Sequence, residues 1–275
     1  MSVLLPSSRA EVLAILADHP EAVPVAGGTD LLVHWPAQVE RHDRRYVDLS
    51  GVADLGPHRW TDDALILGAR TTYWDVIRDP RAASEFPLLV AAAREVGAVQ
   101  IQARGTWAGN IVNASPAADG VPALMAYDAV VALESRAGTD EVPLDRFYTG
   151  YKQMRRRPDQ LVTAIRVPRA ARDVQAFEKV GTRRAQAIAK VGLAATRGPG
   201  GWRVVAWSVA PTVRRCPAVE RLLADRTPIG GPGDLLPAID QDVTPIDDIR
   251  STADYRRHTL ARVLHHALRD HWGSA

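Results

Sequence analysis

Val25-Ala26-Gly27-Gly28-Thr29-Asp30-Leu31 is the stretch on which the reading of this chain turns. Residues 22–26 form a short apolar run that reads as a buried strand, and it passes straight into two glycines. Glycine admits φ > 0 and lets a ligand come close to the main-chain amides. Successive free amides make a nest that suits an anion such as a pyrophosphate. Thr29 adds a hydroxyl donor. Alone, a Gly-Gly pair after a strand is better explained as a plain tight turn.

A second stretch of the same character lies far along the chain: Arg104-Gly105-Thr106-Trp107-Ala108-Gly109-Asn110-Ile111-Val112-Asn113-Ala114-Ser115-Pro116-Ala117-Ala118-Asp119. Small residues, two asparagines, a serine and a threonine crowd a segment that reads as a long loop between helix and strand. Short side chains rich in hydrogen-bonding groups suit a backbone that wraps a polar ligand. Neither stretch is a dinucleotide fingerprint of the G-x-G-x-x-G kind or a P-loop.

Around these stretches the pattern is α+β. Ser8 and Glu11 have capping-box spacing before an apolar helical face, and His19-Pro20 ends that helix. Residues 29–35 read as a short helical or extended segment. Strands are expected at 45–49, 64–68, 128–134 and 161–167, and helices from Thr72 and over 87–96, the latter closed by Gly97. The charged segment 168–173 reads as a domain boundary. Beyond it, three strand-like runs follow at 174–180, 188–196 and 202–210, the last two joined by a glycine-rich hairpin turn. A short helix at 217–225, a Pro/Gly-rich loop over 226–245 and a final helix from Ser251 complete the chain.

Composition narrows the function. The 275 residues carry 34 basic and 32 acidic groups, too even a balance to attract nucleic acid or an acidic membrane. Cys216 is the one cysteine, so the chain supplies neither a disulfide nor the ligands of an iron–sulfur cluster, which fits a reducing cytoplasm. No apolar run reaches membrane-spanning length, and no signal peptide is expected at the N-terminus. The histidines show no ligand spacing, so no metal site is expected. No nucleophile set of the Ser–His–Asp or Cys–His kind is assembled either. Arg155-Arg156-Arg157 reads as a solvated loop, with a subunit contact, or help with an anionic acceptor or with the phosphates of a bound cofactor, as the alternative.

The pair A-G-G-T-D-L and G-T-W-A-G-N-I-V-N-A-S-P-A-A-D, in this order and at this separation, resembles the FAD-binding medium subunit of the molybdenum hydroxylase family, the flavoprotein subunit of xanthine dehydrogenase and carbon monoxide dehydrogenase. The stretch Ala176-Phe177-Glu178-Lys179-Val180 and the ending from Asp247 to His258 carry the resemblance to nearly the whole length. It implies a two-subdomain FAD-binding domain of the vanillyl-alcohol-oxidase/p-cresol-methylhydroxylase type over 1–170, divided near residue 55. A smaller domain over 174–275, with a three-stranded antiparallel sheet and helices, would follow. It implies cofactor contacts at Pro24, Val25, Ala26, Gly27, Gly28, Thr29, Asp30 and Leu31, with Gly27, Gly28 and Thr29 central. Further contacts are implied at Thr106, Ala108, Gly109, Asn110 and Ser115, with Asp119 holding a polar part of FAD and Leu161 an apolar one. Lys179 would stand near the isoalloxazine, where a cation raises the flavin potential. Tyr148 and Tyr151 are further candidates for the flavin, Tyr151 the better.

One departure stands out: Trp107-Ala108-Gly109 replaces an aliphatic residue and two glycines. If position 108 takes φ > 0, its alanine costs about 1 kcal/mol. Three readings follow. The first is an electron-transfer subunit with no catalytic side chain of its own, in a dimer of heterotrimers. There it would sit beside a small subunit with two [2Fe-2S] clusters and a large molybdopterin-binding subunit. The second is a stand-alone FAD-dependent oxidase or dehydrogenase, and the third a non-catalytic nucleotide-binding assembly module. Flavin stoichiometry and co-purifying subunits separate them.

Overall fold

The computed structural model describes residues 2–34 and 44–273; Trp35, at the end of the segment expected over 29–35, lies outside them. Strands β1 (Ser2–Leu4), β2 (Val23–Val25) and β3 (Arg45–Asp48) form a parallel sheet in the order β1-β3-β2. Helix α1 (Arg9–Asp18) crosses from β1 to β2 and buries Val12 and Leu16. Ser8 caps it by accepting the Glu11 N–H, and the Glu11 carboxylate takes the N–H of Ser7 at 2.7 Å.

The next unit is built on an antiparallel sheet. Its strands are β4 (Arg59–Trp60), β5 (Ala64–Gly68), β6 (Val130–Ser135), β7 (Gly138–Pro143) and, after the hairpin β8 (Tyr148–Gly150)–β9 (Gln153–Met154), β10 (Leu161–Pro168). The order is β4-β5-β10-β6-β7, so the late strand β10 closes the middle of the sheet. Between β5 and β6 run six helices: α2 (Tyr73–Ile77), α3 (Pro80–Glu85), α4 (Pro87–Glu95), α5 (Val99–Gln102), α6 (Trp107–Asn113) and α7 (Gly120–Ala126). Thr72 and Asp75 form a full capping box on α2. Strand β6 begins at Val130, later than expected, because Asp128 takes φ 55°.

The second small-residue stretch departs from its sequence reading, since it holds α6 where a loop was expected. Thr106 accepts the Gly109 N–H as the helix cap, and Trp107 and Ile111 anchor the inner face. Tertiary burial of those two large side chains overrides the low helix propensity of Gly109 and the two asparagines.

The C-terminal sheet is β11 (Val174–Val180), β12 (Val191–Gly198), β13 (Gly201–Trp207) and a short β14 (Arg214–Arg215), in that order and antiparallel, so it has four strands and not three. Its first six β12 residues are all buried. One sheet face, with Ala194, Val205 and Trp207, joins the core of the preceding unit; the other, with Val191, Leu193 and Ala195, makes a second core with three helices. These are α8 (Pro217–Ala224), α9 (Leu236–Asp242) and α10 (Ala253–Ala267). Helix α9 replaces part of the loop expected over 226–245. Its Ile239 is fully buried, and the Asp242 carboxylate accepts the N–H groups of Ala218 and Val219 at the start of α8. Helix α10 is capped by Thr252.

Candidate functional site: a cavity between two glycine-bearing stretches

The two stretches singled out in the sequence meet. A Cβ on Gly27 would overlap the carbonyl of Arg104, so only glycine permits this approach. Arg104 Nε donates to the Gly27 carbonyl at 3.4 Å, and Asn113 Nδ2 donates to Asp30 Oδ1 at 2.9 Å. Gly28 takes φ +71°, the left-handed value that bends the chain out of β2. The packing of residues 27–30 against 104–113 thus ties the parallel sheet to the helical layer.

Between them opens a cavity of about 680 Å³. Residues 24–31, all eight expected from the first stretch, line it, as do Thr106, Ala108, Gly109, Asn110 and Leu161. Ser115, Asp119 and Lys179 are not in its wall. Tyr73, Lys152 and Gln160 line it although nothing in the sequence pointed to them, and Asn113 and Arg156 join them. Asn113 was legible inside the quoted stretch and Arg156 inside the basic run; Tyr73 carried no signal beyond its helix cap. Tyr148 instead donates to the Ile111 carbonyl at 3.0 Å and holds the end of α6, while Tyr151 is exposed and outside the wall.

The wall is equipped for a polar ligand with apolar parts. Among the described residues, the N–H groups of Gly27, Gly28, Thr29 and Asp30 meet no protein acceptor. The Oδ1 of Asn110 is buried without a partner. Leu49, Val96, Leu161 and Val162 supply apolar surface. Burial raises the pKa of the Tyr73 hydroxyl, which stays protonated. Four unpaired amides on a glycine turn fit a diphosphate, and the adjoining apolar wall fits the rings it joins.

Ala108 resolves the departure noted in the sequence. It sits in the first turn of α6 and is not among the residues with positive φ. Alanine is the better residue there, so the expected strain is absent. Ala108→Gly is expected to lower unfolding stability by about 0.5–1 kcal/mol in urea titration, with no gain in cofactor affinity.

Behind α6, Lys179 of β11 is almost fully buried. Its Nζ donates to Asp119 Oδ2 at 2.8 Å and to the Glu95 carbonyl at 3.2 Å, with the Glu95 carboxylate at 3.6 Å. Burial pushes the Asp119 carboxyl up to about 6, and the Lys179 charge and hydrogen bond hold it from rising further. Its Oδ1 is unpartnered. The pair spans α4, the turn before α7 and the C-terminal sheet.

A parallel three-stranded unit and an antiparallel five-stranded unit, clasping one cavity through two glycine-bearing stretches, define a flavin-dinucleotide-binding fold with an added C-terminal domain. Residues 1–170 match the FAD binding domain in molybdopterin dehydrogenase, and residues 175–271 the CO dehydrogenase flavoprotein C-terminal domain. The chain belongs to this family: it is an FAD-binding oxidoreductase subunit of the xanthine and carbon monoxide dehydrogenase type. It is 32% identical over 269 residues to the xanthine dehydrogenase FAD-binding subunit of Escherichia coli O157:H7, covering 92% of this chain and 90% of that one. It is 28% identical over 278 residues to the carbon monoxide dehydrogenase medium chain of Hydrogenophaga pseudoflava, covering 97% and 95%. A solved structure of carbon monoxide dehydrogenase from that organism, lacking the Mo-pyranopterin moiety, superposes with a TM-score of 0.85 at 27% identity, covering 99% of this chain and 97% of that chain. Among the described residues no helix is long and apolar enough to cross a membrane.

Proposed function

We propose that this chain is the electron-transfer subunit of a heteromeric molybdenum hydroxylase, taking electrons from iron–sulfur clusters on a small partner subunit and delivering them to an external acceptor. Substrate oxidation then belongs to a large molybdopterin-binding subunit, in a dimer of heterotrimers located in the cytoplasm. The observation that carries the reading is a cavity lined both by residues 27–30, whose amides meet no acceptor among the described residues, and by apolar side chains. When bound there, FAD takes up electrons one at a time and releases them singly or in pairs. The chain's own part is to bind, orient and insulate. Residues 24–31 and Thr106, Ala108, Gly109, Asn110 and Leu161 hold the cofactor from two sides. Ser115, Asp119 and Lys179 belong to the same assignment through the family resemblance. Residues 1–170 form the cofactor domain in two subdomains parting near residue 55, and 174–275 the C-terminal domain.

Cys216 supports external iron–sulfur clusters: it is the one cysteine, it is buried, and burial drives its thiol pKa upward. A second reading, a stand-alone oxidase, lacks support because among the described residues the cavity wall holds one carboxylate, Asp30, which is occupied by Asn113. Purification of the native assembly tests the proposal. One FAD per chain is expected, together with two further subunits, iron and molybdenum. A flavin-free chain, or a flavin-loaded chain that reduces with substrate by itself, overturns it.

A further inference from the structure

The glycine turn offers a diphosphate only neutral donors. Amides orient an anion well, but they do not cancel two negative charges taken from water, and charge held in a half-buried site is costly unless paired. Compensating charge is available elsewhere in the cavity wall. Among the described residues, Arg156, after hairpin β8–β9, is one of two cations in the wall, Lys152 being the other, against the single carboxylate of Asp30. Lys152 Nζ is engaged by the Asn113 carbonyl at 2.7 Å and its Oδ1 at 2.6 Å. Arg156 is held by one edge only: Nη1 donates to the carbonyls of Gln160 at 2.7 Å and Arg157 at 3.2 Å. Its Nε is buried with no partner. The neighbouring acids Asp140 and Asp159 are bonded to Arg157 instead, and Arg156 itself makes no ion pair among the described residues. Burial lowers the pKa of its guanidinium, with Asp159 offsetting this only in part. A partly desolvated guanidinium on a cavity wall, oriented by backbone carbonyls and making no ion pair among the described residues, is arranged for an anion yet to arrive.

We propose that Arg156 is a further cofactor-binding residue, whose free guanidinium edge pairs with the FAD diphosphate opposite the Gly27-Gly28-Thr29 amides. The inference rests on the cavity being the FAD site. It makes Arg156 a determinant of dinucleotide affinity, acting on the phosphate-bearing part and not on the flavin ring.

The test uses the full chain stripped of flavin and titrated with FAD, ADP and riboflavin, which share respectively both parts, the diphosphate alone and the ring alone. Arg156→Gln keeps a donor for the Gln160 carbonyl but removes the charge. It is expected to weaken FAD and ADP each by roughly tenfold to a hundredfold, while riboflavin changes less than about twofold. Arg156→Lys keeps the charge and is expected to hold ADP within about threefold of the unaltered chain. Unaltered protein should lose ADP affinity steeply with added salt. That measurement stands even where Arg156→Gln does not fold. The proposal is overturned by unchanged ADP affinity in Arg156→Gln, by equal loss of riboflavin, by Arg156→Lys falling as far as Arg156→Gln, or by salt-independent ADP binding. Failure of the unaltered chain to bind FAD at all instead removes the functional reading beneath it.

Discussion

Gly27→Ala is expected to yield a chain that purifies almost free of flavin. The new Cβ would collide with the carbonyl of Arg104 and stand 3.1 Å from the Gly105 Cα. Both neighbours are backbone, so no rotamer relieves the overlap. The two stretches must separate, carrying the amides of 27–30 away from Thr106, Gly109 and Asn110. Forced overpacking of this kind costs about 1–3 kcal/mol or more, equivalent to roughly a tenfold to hundredfold loss in FAD affinity. Gly28→Ala is the matched control. Its Cβ meets nothing nearer than 3.7 Å, so the cost is the left-handed φ alone, about 1 kcal/mol. Flavin-to-protein ratios and FAD titrations of the two variants decide the matter. A Gly27→Ala chain with full flavin would show that the close approach does not shape the site.

Lys179→Met is expected to produce the largest loss of stability. The ammonium is the sole cation within reach of Asp119 among the described residues, and it also binds Glu95. Removing one partner of a buried pair leaves the other charge uncompensated, at a cost of about 3–5 kcal/mol near neutral pH. The pH dependence has a definite sign. In the native protein the Asp119 carboxyl is raised from 3.8 to about 6 by burial, so the folded state holds its proton more tightly than the unfolded chain. The stability this contributes is complete below pH 3.8 and is lost as pH rises through about 6, by roughly 3 kcal/mol in all. With Lys179 gone, two of the three influences that lower the carboxyl disappear, leaving that of Trp207, and the falling limb extends to higher pH. Urea unfolding across pH 4–8 and the carboxyl carbon resonance of Asp119 read the shift. A variant with an unchanged Asp119 titration would refute the coupling. The flavin potential of the same variant asks a separate question: an unchanged value removes Lys179 from tuning the isoalloxazine.

Much of the site was legible because its requirements are local. A strand ending in Gly-Gly, and small polar residues from Gly105 to Asp119, are short-range patterns whose backbone freedom speaks for itself. The conformation of the second stretch was not legible. Glycine, asparagine and alanine in succession suggest a loop, and α6 forms because Trp107 and Ile111 are buried against neighbours distant in sequence. The same holds for α9, whose Pro- and Gly-rich flank hid a helix that Asp242 stitches to α8. Strand β14, two residues long, has no pattern to read and exists through its pairing with β13.

From the sequence alone followed the α+β class, the two ligand-facing stretches, the lack of cysteines for metal clusters, and a family likeness over nearly the whole length. Tertiary structure alone decided that Gly27 rests on the Arg104 carbonyl, that Arg156 lines the cavity, and that Lys179 and Asp119 pair outside the cavity wall. The division has one cause. Propensity, capping and turn chemistry act over a few residues and leave their mark in the order of the chain. Close backbone approach and charge pairing join groups dozens of positions apart, and only the packed fold brings them into contact.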